Sequence, residues 1–221
     1  RWPHSTRRGS LLQGLLFGVA AVLGMMHPLD LGGGLIFDGR SVVVSLCALY
    51  FGPWAAGLSV LMAVAYRLGV GGDGAITGSL VTVATAAVGL LARKRPHASL
   101  PSPLFLYTLG VISSLVMLVL MFTLPQGAGA SVVSRIGMPV LLLYPLATVL
   151  GGAVLSRQVR GRLAETEIRQ SQALLDAAQH LAKVGGWEWD LRRQRMTWTD
   201  EVYRIHDIAR GELEPGPAQL M

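Results

Sequence analysis

Long apolar runs, separated by short polar or glycine- and proline-containing breaks, make up most of the chain. They lie near residues 9–26, 38–51, 53–70, 75–92, 103–124 and 137–156. A helix needs about 20 apolar residues to cross a membrane core of about 30 Å. The pattern therefore predicts an all-α polytopic membrane domain, with about six transmembrane helices, over residues 9–156.

The breaks between these runs contain residues that end helices. Gly52–Pro53 predicts a tight turn, and the glycines within 71–74 free the backbone after the third run. The second run is the shortest, because its uninterrupted part, residues 41–51, reaches only about 16 Å at 1.5 Å per residue. Either this helix is short and opens into a cavity, or Asp38 and Arg40 lie inside the membrane.

After residue 156 the chain becomes polar but contains no proline through residue 183. This composition predicts a cytoplasmic signalling helix over residues 157–183, leaving the membrane in line with the last span. Its apolar residues recur at threes and fours only in the second half. Because an amphipathic helix needs a partner for its apolar stripe, we expect two such helices to pair in parallel in a homodimer.

Residues 184–221 carry a different pattern. Large residues on either side of a short basic turn, from Trp187 to Trp198, predict a β-hairpin. Thr199 followed by Asp200 and Glu201 predicts a helix N-cap with two acids in the first turn. We therefore divide the chain into a cytoplasmic segment, a membrane domain, a signalling helix and a truncated α+β domain, at residues 1–8, 9–156, 157–183 and 184–221.

Composition supports the membrane assignment, since 52% of the residues are hydrophobic and 14% charged, with a mean hydropathy of +0.49. The net charge of +6 is concentrated next to the apolar runs. Orientation in a membrane explains such a distribution, whereas a nucleic-acid surface requires one continuous basic face. We expect membrane lipid, and no nucleic acid, as a partner.

The basic residues also predict the orientation of the domain. Nine fall on one side by alternation of the runs: Arg1, Arg7, Arg8, Arg93, Lys94, Arg95, Arg157, Arg160 and Arg162. Three fall on the other: Arg40, Arg67 and Arg135. The positive-inside rule then places both termini in the cytoplasm of a bacterium, with the domain in the inner membrane.

Few residues indicate metal or covalent chemistry. The single cysteine, Cys47, lies in an apolar run, which excludes an internal disulfide and a cysteine-based zinc site. His27 lies at the end of a run with no second ligand near it in sequence, so we expect neither a metal nor another cofactor. The chain begins at Arg1 and ends within the last predicted domain, which indicates a fragment, and the first run is expected to be a span and not a cleaved signal.

Polar residues at the outer edge of the second, third and fourth runs suggest a binding site. Asp38 is placed to cap the second helix, and Arg40 follows in its first turn, where a cation opposes the helix dipole. Arg67 ends the third run and returns to the same face, while Thr77 and Ser79 begin the fourth. Two arginines with hydroxyl groups at helix N-termini are typical of a site for a small anion, and a carboxylate is the ligand we expect.

A purely structural explanation of the same arginines stays open. Arg67 near a helix C-terminus is favourably placed for the helix dipole. Arg40 is near Asp30, Asp38 and Asp73 in the expected topology, and any of these carboxylates would neutralise it.

The stretch from Gly34 to Arg93 resembles the LytS-type five-transmembrane receptor domain, and the resemblance extends over about residues 10–156. Its motifs are Asp38, Gly39 and Arg40, then Phe51, Gly52 and Pro53, then Tyr66 and Arg67 with the glycine turn of 71–74. The resemblance implies a bacterial sensor input and a ligand such as pyruvate, bound through Arg40 and Arg67. Members often have Asn where this chain has Asp38, and the added carboxylate would neutralise Arg40.

The order of residues from Gly185 to Tyr203 is similar to the opening of PAS domains. The motif is Gly, Trp, x, Trp, Asp, a turn, then Trp, Thr, Asp, Glu, x, Tyr. In this comparison Trp187, Trp189 and Trp198 are expected to be core and dimer-contact residues and not a cofactor box.

Three hypotheses about function follow. In the first, the chain is the input module of a sensor, in which a small molecule shifts the last span and the signalling helix transmits the change to the PAS pair. In the second, the same helices form a transporter or a permease subunit. The third concerns an output domain absent from this chain, a diguanylate cyclase or a histidine kinase; residues 1–221 contain neither catalytic motif.

Overall fold

The computed structural model describes residues 7–26, 29–30, 36–37, 39–72, 74–94, 100–124, 129–193 and 195–209. Most of these residues are helical. The helices are α1 (Arg7–Met26), α2 (Arg40–Phe51), α3 (Pro53–Val70), α4 (Ala75–Arg93), α5 (Pro103–Leu120), α6 (Gly129–Ala182) and α7 (Asp200–Ile205), with a 3-10 turn at Met121–Thr123. Two antiparallel ladders pair β1 (Leu29–Asp30) with β2 (Ile36–Phe37) and β3 (Trp187–Asp190) with β4 (Arg195–Trp198).

Five of the described helical segments are long and apolar enough to cross a membrane. They are α1, α3, α4, Pro103–Thr123 and the first part of α6. The expected count of about six is not confirmed, because the second run forms only the 12-residue helix α2, which measures about 18 Å. Its length fits the alternative in which this helix is short.

Helix α2 is the buried centre of the membrane domain. Nine of its 12 residues are buried, and it packs against α1, α3, α4 and α5. On α4, a Cβ atom built on Gly89 would collide with the backbone oxygen of Ser45, so glycine is needed for the two helices to approach this closely. The apolar character of the second run therefore reflects burial within protein and not a full membrane crossing.

The turns on either side of α3 form at the predicted glycines. Gly52 has a φ of +85°, and Pro53 occupies the first turn of α3. Gly71 and Gly72, with φ values of +74° and +88°, end α3 and lead into α4. Since side chains rarely adopt positive φ, these positions fix where the chain reverses.

The helices alternate in direction, so their ends gather into two groups. The arginine end is defined by Met25, Arg40, Arg67, Gly78 and Met121. The linker end is defined by Arg7, Tyr50, Trp54, Arg93 and Ser156. At the linker end the guanidinium of Arg7 lies 5.6 Å from the centre of the Trp54 ring. The contacts agree with the sequence-based grouping of Arg7 and Arg93 on one side and of Arg40 and Arg67 on the other.

Helix α6 is 54 residues long and continues without interruption across the predicted boundary at residue 156. It begins at Gly129, earlier than the expected residue 137, and both Pro139 and Pro145 are accommodated inside it. Glycines bring α5 and α6 together, because a Cβ atom on Gly110 would meet Pro145 and one on Gly152 would meet Leu106.

The chain divides between Arg160 and Gly161 into two compact units. In the second unit, Trp187 pairs with Trp198 across the predicted hairpin. Trp198 is buried with Met196 and Val202, whereas Trp187 is 55% and Trp189 38% exposed. The expected core role therefore holds for Trp198 alone within the described residues.

Helix α7 begins at Asp200 as expected, but Thr199 does not cap it with its side chain. The Thr199 hydroxyl instead accepts a hydrogen bond from the backbone N–H of Gly186 at 3.0 Å, which ties the start of the hairpin to its end. The buried carboxylate of Glu201 accepts from Arg204 at 2.6 Å and lies 3.1 Å from the Nδ1 atom of His180. These contacts hold α7 against the last turn of α6.

Candidate ligand-binding site

Arg40 and Arg67 converge on one glycine at the arginine end. Arg40 is the first residue of α2, and Arg67 lies in the last turn of α3. A Cβ atom built on Gly78 of α4 would lie 2.9 Å from Nη2 of Arg40 and 3.1 Å from Nε of Arg67. Because Gly78 has no side chain, both guanidinium groups can lie against α4 at this position.

The two guanidinium groups differ in how well they are satisfied. Nη1 of Arg40 donates to the thioether sulfur of Met25 at 3.1 Å, and Arg40 has a further partner. Nε of Arg67 is buried and has no hydrogen-bond partner within the described part of the chain. Leaving a buried donor unpaired costs about 1–3 kcal/mol, more when the group is charged, so the Nε of Arg67 is an unsatisfied donor within the described residues.

The backbone adds positive potential at the same place. Helices α2 and α4 both begin at the arginine end, and neither has an acidic residue in its first turn. Helix N-termini carry partial positive charge from their free N–H groups. Within the described residues, two such termini and two guanidinium groups concentrate positive potential at the arginine end.

A cavity of about 350 Å³ opens between these helices. Its polar wall consists of four residues from α2 and α3: Arg40, Ser41, Tyr66 and Arg67. Its apolar wall consists of Met25, Val70, Met117, Met121 and Ile136. Tyr144 of α6 also lines the cavity. The cavity thus joins the two arginines to the helix that continues into the second unit.

The other residues predicted for this site are not all brought to the cavity. Asp38 and Asp73 lie outside the described residues. The hydroxyl groups of Thr77 and Ser79 face other partners, since Thr77 Oγ1 lies 3.0 Å from Thr123 Oγ1 and Ser79 donates to the carbonyl oxygen of Ala75 at 2.8 Å. Both residues lie in the first turns of α4, but neither lines the cavity.

The linker end of α2 is built differently. Nη1 of Arg93 donates to the carbonyl oxygens of Leu49 and Tyr50, each at 2.8 Å, and so caps the C-terminus of α2. The Tyr50 hydroxyl donates to the carbonyl oxygen of Gly152 at 2.8 Å and lies 2.6 Å from Oγ of Ser156. One end of α2 therefore faces a cavity, and the other end is hydrogen-bonded to α6.

No cluster of three or more His, Cys, Asp or Glu that could hold a metal ion occurs among the described residues.

The family model for the receptor domain described as 5TMR of 5TMR-LYT matches residues 3–158. This chain belongs to that family. The membership agrees with the LytS-type resemblance of the sequence, and together with the apolar helices it makes the receptor domain a multi-pass membrane protein. No curated protein and no solved structure matches the chain significantly.

Sequence reasoning found the two arginines of the receptor domain but missed most of the cavity. Met117, Ile136 and Tyr144 come from α5 and α6, far along the chain from Arg40. A tyrosine in the middle of the last apolar run was a signal that could have drawn attention to Tyr144. Gly78 gave no signal in sequence, because its importance depends on two side chains that reach it from other helices.

Proposed function

We propose that the receptor domain is the input module of a bacterial sensor protein and binds a small anionic ligand, a carboxylate, at the arginine end. The observation that carries this proposal is the convergence of Arg40 and Arg67 over Gly78, beside a cavity that both arginines line. A carboxylate can accept two N–H donors from one guanidinium at once, which makes the pair strong and fixes its geometry. Pyruvate is the example implied by the family resemblance.

The cavity also supports a route for the signal. Ile136 and Tyr144 belong to α6 and line the cavity, and Tyr50 bonds the same helix at the linker end. A ligand shifts an equilibrium only if it binds two arrangements with different affinity. Contact with α6 on one side and with α2 and α3 on the other gives a ligand the means to favour one packing of α6.

The remaining parts of the proposal concern the relay and its surroundings. The domain lies in the inner membrane with the linker end and both termini on the cytoplasmic side, as the distribution of arginines favours. Residues 157–183 pair in a homodimer and carry the change to a PAS domain, and a diguanylate cyclase or histidine kinase provides the output. The exposed apolar residues of this helix, among them Ile168, Leu174 and Leu175, support such pairing.

Ligand binding is tested by thermal stability of the purified chain in detergent with pyruvate, acetate and related carboxylates. Ligand at 100 times its dissociation constant stabilises the folded state by about 2.7 kcal/mol. The shift should be present in the wild type and lost in both Arg40→Ala and Arg67→Ala. Arg135→Ala, which removes an exposed arginine of α6, is the matched control and should keep it.

Two results would count against the proposal. A folded wild-type chain that no carboxylate stabilises would leave the two arginines with a structural role. Uptake of a solute into vesicles that contain the purified chain would favour a transporter over a sensor.

A further inference from the structure

The two walls of the cavity differ in chemistry. The polar wall carries the guanidinium and hydroxyl groups of α2 and α3, whereas the apolar wall is formed by three thioether and two aliphatic side chains. The two walls meet where Arg40 donates to the thioether of Met25. An anion as small as acetate would contact the polar wall and leave the apolar wall covered by water. Water against an apolar surface is unfavourable, so a ligand that satisfies both walls binds more tightly.

The volume of the cavity leads to the same conclusion. It measures about 350 Å³, well beyond the space of about 10–15 Å³ that one water needs. An acid of about six non-hydrogen atoms would leave part of that space unfilled. The remainder has the size of an additional apolar group of several carbons.

We propose that this site takes an amphiphilic monocarboxylate, with its carboxylate on Arg40 and Arg67 and an apolar body of six to eight carbons, aliphatic or aromatic, against the apolar wall. The inference rests on the proposed function and specifies its ligand class. Methionine is unbranched and flexible, so Met117 and Met121 adapt to more than one shape of apolar body. The ligand class is therefore defined by the charge of the carboxylate and the length of the apolar body more than by the shape of that body.

The apolar body is also the part of the ligand that reaches the helix of the relay. Ile136 belongs to α6 and lies in the apolar wall, while both arginines belong to α2 and α3. The carboxylate thus anchors the ligand, and the apolar body makes the contact with α6. Short acids that occupy only the polar wall would bind without that contact.

The test is a series of dissociation constants for the purified chain in detergent, measured with acetate, butyrate, hexanoate, octanoate and 3-phenylpropanoate. Burial of a methylene contributes about 0.8 kcal/mol, so affinity should rise about fourfold per added methylene until the cavity is full. The neutral amide of each acid should bind at least about tenfold more weakly. The same series on Arg67→Ala corrects for partition of the longer acids into detergent micelles.

Variants of the apolar wall sharpen the result. Met117→Ala enlarges the cavity and should move the best chain length to longer acids, with the affinity for acetate unchanged. Met138→Ala makes the same substitution at an exposed residue of α6 and should leave the series as it is. Met121→Ala gives the same readout if Met117→Ala does not fold.

The outcomes separate this inference from the proposed function. If acetate binds as tightly as octanoate, and Arg67→Ala abolishes the binding of both, the amphiphilic ligand class is overturned while the anion receptor stands. If no acid in the series binds in an arginine-dependent way, both are overturned. A rise in affinity with chain length that Arg67→Ala removes supports both.

Discussion

At the linker end of α2, Arg93 donates to the carbonyl oxygens of Leu49 and Tyr50, whereas at the arginine end the buried Nε of Arg67 has no partner among the described residues. Both guanidinium groups lie among apolar helices and close to the same short helix. At the linker end the chain itself supplies the acceptors for Arg93, whereas the buried Nε of Arg67 borders a cavity that Arg67 lines.

Under the proposed function, the difference separates a structural arginine from one that binds a ligand in a membrane domain. An intramembrane cation is expensive, so its presence alone marks it as important without saying why. Their partners distinguish the two: Arg93 caps the C-terminus of α2, whereas the buried Nε of Arg67 has no acceptor among the described residues. The same comparison yields predictions in which stability responds at one end and binding at the other.

The largest expected effect on stability is at Arg93. Arg93→Ala removes the donors to two carbonyl oxygens, and hydrogen bonds to charged groups contribute about 1.5–3 kcal/mol each. We expect the free energy of unfolding in detergent to fall by about 3 kcal/mol. Arg67→Ala removes an unsatisfied buried donor and should not lower the free energy of unfolding; an equal loss in both variants would erase the distinction between the two ends.

Tyr50→Phe should have the next largest effect. It removes the hydroxyl that bonds Gly152 and Ser156 on α6, and a net loss of about 1–2 kcal/mol is typical for such bonds. Combined with Ser156→Ala in a double-mutant cycle, the two losses should not add, with a coupling of about 0.5–1 kcal/mol. Strict additivity would mean that the contact between Tyr50 and Ser156 does not contribute to stability and that only the bond to Gly152 joins α2 to α6 here.

Gly78→Ala tests the arginine end by adding a methyl group instead of removing a side chain. The new methyl group would displace the guanidinium groups of Arg40 and Arg67, so carboxylate affinity should fall at least about tenfold, or about 1.4 kcal/mol. Because flexible side chains can move aside, the free energy of unfolding should change by less than about 1 kcal/mol. The control is Gly57→Ala, where a Cβ atom meets nothing within 4 Å and affinity should stay unchanged.

The smallest effect is expected for Ser79→Ala. Its hydroxyl donates within α4 to Ala75 and does not line the cavity, so the dissociation constant of a carboxylate should remain within about twofold of the wild-type value. A larger loss would restore Ser79 to the site that the sequence predicted and would mean that the first turn of α4 rearranges on binding.

Residues adjacent in sequence were sufficient to predict several turns of the chain. The turn at Gly52–Pro53, the end of α3 at the glycines after Val70, and the hairpin between Trp187 and Trp198 follow from residues adjacent in sequence, and the structure has them. The alternation of apolar runs also placed Arg40 and Arg67 at one end. The separation of Arg40 and Arg67 in the sequence did not affect this prediction. Each run reverses the direction of the chain, so the start of one run and the end of the next lie at the same end.

Other features depend on contacts between distant helices, and no local pattern contains them. Arg93 counted in the sequence only as one of the residues that orient the domain, yet it caps α2 more than 40 residues away. The second run was counted among the spans because it is apolar, although its apolar side chains are buried against neighbouring helices. The apolar wall of the cavity is likewise assembled from α1, α3, α5 and α6, and only packing brings these together.

The central claim, that a carboxylate at the arginine end alters the packing of α6 at the linker end, is tested most directly by amide hydrogen exchange. The purified chain is compared with and without saturating octanoate and pyruvate, and the peptides that contain Gly152 and Ser156 are followed. The account predicts a change in their exchange in the wild type that is absent in Arg67→Ala. Arginine-dependent binding without any change in these peptides would contradict this claim, because ligand binding at α2 would then have no effect on α6 at the linker end.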